Sequence, residues 1–414
     1  MKILIISQYY DPEPIYIPAT VARGLAERDH EVTVITGFPN YPHGRIYDGF
    51  TQGLGRTERD GRVKVLRTPL VISHSENPIG RLVNYLTFAL SAMVSSWRVR
   101  GVDVVYVYAT QMTPALGPSI MRAFGGAPYV MHVQDLWPES VTGSSMVGGG
   151  SASRVIAGVL KPWLRFLYKQ ATATIAIAPT MARMLVDRGV PSSRVKMVFN
   201  WANENVKDAV SGRAKQRVDG QLKSDRVLIV YAGNLGDHQD LETVIRAAKA
   251  VEDEKNVRFE FYGSGMAKDR LEALATELDV KNLTFCGSVS AADMEGVYDR
   301  ADFQLVTLKD REIFRGTIPS KLQASLFNGS AVMSNVAGDV AEICSSEQVG
   351  LTCKPGSVDS MAEMFRTGAQ TTTETRRQMA ANGRDFYLNK MSLDQGMDAL
   401  EKILLEAAAA GKSK

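Results

Sequence analysis

The sequence predicts an α/β protein made of two doubly wound, Rossmann-like domains, and three observations carry that prediction. A chain of 414 residues exceeds what one hydrophobic core usually serves, so two domains of about 200 residues each are expected. Apolar, strand-like runs alternate with helical patterns through both halves, which is the rhythm of a parallel sheet covered on both faces. Between the halves, residues 200–225 (NWANENVKDAVSGRAKQRVDGQLKSD) are polar and short of apolar side chains, as an interdomain linker is. The domains are therefore set at 1–200 and 201–389, with a helical segment at about 390–414 expected to pack back on the first.

The first strand is KILIIS, residues 2–7, a run that dissolves into Tyr, Asp and Pro too soon for a signal peptide. Helix PATVARGLAERD follows, then strands EVTVITG, VKVLRT, VDVVYVYA, YVMHV, ATIAIAP and VKMVFN. Between VKVLRT and VDVVYVYA, residues 82–97 (LVNYLTFALSAMVSSW) carry no charge and are bracketed by Arg81 and Arg98. This stretch is shorter than the ~20 residues that cross a bilayer. Its apolar residues Leu82, Tyr85, Leu86, Ala89, Leu90, Met93, Val94 and Trp97 follow helical spacing, which suits a core-packed helix over a membrane-surface one. A Gly/Ser-rich stretch at 142–153 reads as a connector, with a mobile lid as the alternative.

The second half restarts the rhythm with RVLIVYAGNLG, helix LETVIRAAKAV, then VRFEFYG, LTFCGSV, DFQLVTL, AVMSNVA and VGLTCK, and closes in helices without a further strand. Composition is that of a soluble globular chain, 45% apolar and 22% charged. Three cysteines without paired spacing suggest neither a disulfide framework nor a zinc site, so no metal is expected and a reducing cytoplasm fits. The net charge of +3 hides an asymmetry: residues 1–200 hold 21 Lys and Arg against 13 Asp and Glu, whereas the remainder holds 27 against 32. The first half therefore attracts anions or an anionic surface, and peripheral contact with the inner face of the cytoplasmic membrane is expected.

Chemistry concentrates at strand ends, because parallel sheets bind ligands outside the carboxyl ends of their strands. His132 ends the strand YVMHV and could act as base, orient a hydroxyl or stabilise charge, with Asp135 placed to fix its tautomer. In the second half Gly233, Asn234 and Gly236 form a turn between strand and helix where backbone can approach a phosphate. Gly263 and Gly265 repeat the pattern after the next strand, where a planar base could rest on main-chain atoms. Ser320 and Lys321, just after Pro319, put a hydroxyl and an ammonium at a helix start, suited to a diphosphate.

The succession FYGSG, LTFCGSV, ADFQLVTL and SKLQASLFNGSAV, on two such domains, resembles the retaining GT-B glycosyltransferases of family 4. SQYYDPEPIYIPATVARGLAERDHEVTVITGFPNYPHG together with HVQDLWPES resembles in particular their bacterial polysaccharide branch, the WbuB-like N-acetylfucosamine transferases. The resemblance implies two domains facing a cleft, a nucleotide diphosphate sugar held mainly by the second domain, and a saccharide or lipid-linked saccharide acceptor on the first. It also implies transfer with retention and without a metal; no separate cofactor and no nucleic acid partner are expected. By the same comparison His132 and Asp135 lie near the donor sugar, Gly233, Asn234 and Gly236 under the diphosphate, and Ser320 and Lys321 at the leaving phosphate.

Departures from the family pattern are also visible. Ala324 stands where the family has a ribose-binding glutamate, and its partner acid falls on Gly316, with Glu312 the nearest carboxylate. Asp237 and His238 replace a basic residue after Gly236, an acid that would repel a diphosphate, and Ile15, Tyr16 and Ile17 are bulky where small residues are usual. The same architecture also serves partner subunits or sugar-nucleotide binders without transfer activity, and epimerases or hydrolases.

Overall fold

The computed structural model describes residues 1–73, 78–137, 151–204, 226–290 and 293–412; most of the linker stretch, Glu139 and the Gly/Ser stretch up to residue 150 lie outside the described residues. The chain divides into two compact units, Met1–Phe199 with Gly396–Lys414, and Asn200–Gln395.

The first unit is an eight-stranded sheet. Its strands are β1 (Lys2–Ile6), β2 (Glu31–Gly37), β3 (Arg56–Asp60), β4 (Val63–Thr68), β5 (Val104–Ala109), β6 (Tyr129–Val133), β7 (Ala173–Ala176) and β8 (Val195–Met197), in the order β3-β4-β2-β1-β5-β6-β7-β8. All pair in parallel except β3, which runs antiparallel to β4 as a polar edge hairpin. β3, RTERD, has no apolar run to mark it in the sequence; an edge strand facing water needs none. β1, β5 and β6 are buried along nearly their whole length, as strands covered on both faces must be.

Helices Ile17–Glu27, Pro78–Ser96, Leu116–Ala123, Ser151–Gln170 and Pro179–Asp187 cover this sheet. Helix Pro78–Ser96 corrects the expectation made for it. Asn84, Phe88, Ala89, Ala92 and Ser96 face the core, whereas Leu82, Leu86, Leu90, Val94 and Trp97 are exposed. The apolar stripe points outward because three small residues, one phenylalanine and the hydrogen-bonded Asn84 already fill the space above the sheet: Asn84 Oδ1 accepts from Gln8 and its Nδ2 donates to the Val71 carbonyl, both at 2.7 Å.

The final helix, Leu393–Lys412, is counted with the first unit from Gly396 onward. Met397 packs on Gly24 so closely that a Cβ there would lie 2.8 Å from its Cε. Arg28 pairs with Glu401 at 2.7 Å and with Asp398 at 2.6 Å.

The second unit is a six-stranded, wholly parallel sheet of β9 (Val227–Ala232), β10 (Val257–Tyr262), β11 (Leu283–Gly287), β12 (Phe303–Val306), β13 (Ala331–Ser334) and β14 (Gly350–Thr352), ordered β11-β10-β9-β12-β13-β14. The order reverses between β9 and β12, so a crevice opens outside their carboxyl ends. One apolar cluster, including Ile229, Phe259, Phe303, Met333 and Phe365, packs helices Leu241–Ala250 and Val358–Gln370 on the sheet.

Candidate functional site

In the second unit, the segments that leave β9 and β10 are tied to each other by main-chain hydrogen bonds. Gly233 N donates to the Tyr262 carbonyl at 2.9 Å, Leu235 N to that of Ser264 at 2.8 Å, and Ala267 N to that of Leu235 at 3.0 Å. The two glycine turns are therefore one structure. Gly263 (φ 136°) and Gly265 (φ 157°) are required there, since a Cβ on Gly263 would collide with the Gly233 carbonyl oxygen and one on Gly265 would lie 2.5 Å from Asn234 Oδ1. Gly233 and Asn234 remain exposed above it, so their backbone is open to a ligand.

Lys321, the second residue of helix Ser320–Phe327, reaches into the same place. A Cβ on Gly233 would lie 3.1 Å from its Nζ, which donates to Gln239 Oε1 at 2.8 Å and sits 5.0 Å from the centre of the Tyr231 ring. Burial lowers its pKa from 10.5 to about 8. Ser320 is exposed beside it, and no side chain caps the helix start. The structure thus gathers Gly233, Asn234, Gly236, Gly263, Gly265, Ser320 and Lys321 at one end of one sheet. An ammonium, a helix amino terminus and accessible backbone are the groups by which proteins hold a phosphate or diphosphate.

In the first unit, His132 on β6 is fully buried and Tyr106 on the neighbouring β5 holds its Nδ1, Oη to Nδ1 2.6 Å. Its Nε2 is buried with no hydrogen-bond partner among the described residues. Desolvation lowers its pKa to about 3, so the ring is neutral. Asp135 does not fix its tautomer, contrary to expectation: Tyr106, on the adjacent strand two residues before Tyr108, the register partner of His132, holds the nitrogen, while Asp135 has left the strand and is exposed to solvent. Protein crowding still raises the Asp135 carboxyl from 3.8 to about 6, and its charge acts on Tyr9, Tyr85 and Tyr108. Near it Tyr9 packs at a tilt against Tyr41 at 5.4 Å and Tyr85 against Trp137 at 6.2 Å, ring centre to ring centre.

Residues 18–201 match the family described as the glycosyl transferase 4-like domain, and residues 212–386 match the glycosyl transferases group 1 family. This chain is a GT-B glycosyltransferase. A protein of Escherichia coli K12 named for colanic acid biosynthesis, the glycosyl transferase WcaI, is 27% identical over 88% of this chain and 91% of its own. Among solved structures, Anabaena HepE in complex with UDP and glucose covers 98% of this glycosyltransferase and 99% of its own chain at 16% identity, with a TM-score of 0.65. WaaG, a glycosyltransferase involved in lipopolysaccharide biosynthesis, covers 97% and 99% at 15% identity, with a TM-score of 0.64. At those identities the structural matches speak to the fold.

Several residues of the glycosyltransferase's site gave no signal in the sequence. Gln239 receives Lys321, and Thr307 donates to the Gln239 carbonyl at 2.6 Å. Asp240 adopts a left-handed conformation (φ 55°) at the start of helix Leu241–Ala250, held by Asn335 at 2.7 Å and Thr243 at 2.8 Å. Asp237, expected to repel a diphosphate, is paired with Arg270 at 2.6 Å, so its charge is partly met from helix Lys268–Glu277. His238 rests against Phe314, ring centres 5.8 Å apart. Ala324 lies on helix Ser320–Phe327 and Gly316 is buried at the end of the turn Glu312–Gly316, so neither offers a carboxylate.

Proposed function

We propose that this glycosyltransferase moves a sugar, of the N-acetylated deoxyhexose type, from a nucleotide diphosphate donor to a saccharide or polyprenyl-linked acceptor in bacterial surface polysaccharide biosynthesis, with retention and without a metal, at the cytoplasmic face of the membrane. The observation that carries the reading is the convergence of Lys321, the Ser320 helix start and the fused glycine turns in the second unit, which is what a diphosphate needs. The relative named for colanic acid biosynthesis and the fold shared with a lipopolysaccharide glycosyltransferase support the polysaccharide setting.

In this reading Lys321 and the helix start stabilise charge on the diphosphate as its bond to the anomeric carbon breaks. The acceptor oxygen bonds to that carbon on the same face and its proton leaves with the phosphate. His132 serves as a neutral hydrogen-bond donor to the donor sugar: Tyr106, whose phenol burial keeps protonated, donates to Nδ1, which leaves the proton on Nε2. A base role does not suit a ring with a pKa of about 3. The aromatic side chains near Asp135 suit the acceptor sugar.

The test is a thermal-shift screen of UDP, GDP, ADP and TDP against wild type and Lys321→Ala. One nucleotide should raise the melting temperature of wild type only; no shift at millimolar nucleotide would sink the donor site. The missing carboxylates at Ala324 and Gly316 favour one alternative, a sugar-nucleotide binder without transfer activity, which predicts the same shift but no turnover with any acceptor.

A further inference from the structure

We propose that the outer face of helix Pro78–Ser96, continued by Trp97, docks on an anionic lipid bilayer. Among the described residues, 14 large hydrophobic side chains are exposed, and six of them lie here: Leu82, Val83, Leu86, Leu90, Val94 and Trp97. Their exposures run from 38% to 62%. At about 100° per residue they fall within roughly a 120° arc, so they form one continuous stripe and not scattered surface residues. The opposite arc already anchors the helix through Phe88, Ala89, Ala92 and the hydrogen bonds of Asn84. Polar side chains on the outer arc would leave that anchoring untouched, so folding does not account for the stripe.

Charge complementarity identifies the occupant. Residues 78–134 contain Arg81, Arg98, Arg100 and Arg122 but a single acid, Asp103, which accepts from the backbone of Lys2. Arg98 and Arg100 are exposed immediately beyond Trp97, the ring best suited to the headgroup level. No described helix is long and apolar enough to cross a membrane, so this one lies in the interface plane, its stripe among acyl chains and its arginines among anionic headgroups. Tyr85, on the inward side of the same helix, faces Trp137 and feels the Asp135 charge, so docking would bring these residues near the membrane surface. The inference deepens the reading of a polyprenyl-linked acceptor and rests on it for its purpose, though not for its test.

The test is co-sedimentation of the full chain with vesicles of phosphatidylcholine, and of phosphatidylcholine mixed equally with phosphatidylglycerol. Wild type should partition about tenfold more strongly onto the anionic vesicles. Leu86→Gln/Leu90→Gln should lose about tenfold in that partition, and Arg98→Gln/Arg100→Gln should lose the preference for anionic lipid. All four side chains are exposed or end in solvent, so circular dichroism and melting temperature should match wild type. Equal binding by wild type and Leu86→Gln/Leu90→Gln would overturn the proposal, as would no binding at all. A wild-type dimer that this variant converts to monomer, without vesicle binding, would assign the stripe to a second copy instead. Vesicle binding without any nucleotide shift would remove the donor-site reading and leave the docking surface standing.

Discussion

Lys321 owes its chemistry to what surrounds it. Packed against Gly233 and the Tyr231 ring, with Gln239 as its acceptor, its ammonium has lost much of its water and titrates at about 8. A bound diphosphate would raise that value, so the complex holds the proton more tightly than the free protein. Donor affinity should accordingly be full below about pH 8 and decline above it, by about tenfold at pH 9.5. Calorimetric titration at the two pH values reads this directly, and Lys321→Ala should bind weakly with no such pH dependence. In the proposed mechanism Tyr106 would act one step back from the sugar, through His132 Nδ1. Tyr106→Phe should leave nucleotide binding unchanged while lowering kcat about tenfold, because a lost hydrogen bond that fixes a tautomer is worth about 1–2 kcal/mol; an unchanged kcat would remove Tyr106 from the mechanism. Asp135 was the partner expected for His132 from spacing alone. Three residues along the chain is close in sequence, but the hydrogen bond is made across strands, from Tyr106 on β5 to His132 on the adjacent β6.

At the scale of elements, the two glycine turns after β9 and β10 behave as a single unit. Gly263→Ala would drive a methyl group into the Gly233 carbonyl in a backbone conformation alanine rarely adopts. It should cost about 1–3 kcal/mol of stability and abolish the nucleotide shift, whereas Gly296→Ala, where a Cβ meets nothing within 4 Å, should do neither. Differential scanning calorimetry with and without nucleotide separates the two effects. The turns were legible in the sequence because strand, glycine and helix follow one another locally. Helix Pro78–Ser96 was legible as a helix, but not in its orientation: an apolar stripe and a small-residue stripe both satisfy helical spacing, and only the room above the sheet decides which faces inward. Strand β3 left no trace, since an edge strand in contact with water needs no apolar pattern.

For the whole molecule, the last helix closes on the first unit through Met397 on Gly24 and through Glu401, which lies 2.7 Å from both Arg28 and His30. Burial works to raise the Glu401 carboxyl, but the hydrogen bonds from Arg28 and His30 outweigh it and its pKa sits below 4.5. A lowered carboxyl contributes stability that is present above its unfolded pKa and lost as pH falls through the folded value. Glu401→Gln should therefore lower stability at pH 7 by about 1–2 kcal/mol, with the difference from wild type closing in acid. Urea unfolding at pH 7 and pH 3.5 checks both statements.

What the sequence by itself determined is the class: two α/β halves, their strand runs, and the glycine turns and helix start at the ends of the second sheet, all of which follow from periodicity and residue chemistry within a few turns of chain. What only the tertiary structure decided is pairing across strands and between distant segments. It gave His132 to Tyr106 and not to Asp135, set Arg270 against Asp237, put Gln239 on Lys321, and turned the apolar stripe of residues 82–97 to solvent. Each of these depends on which groups compete for the same space or the same hydrogen bond, and that competition is settled by packing, which residue spacing along the chain does not encode.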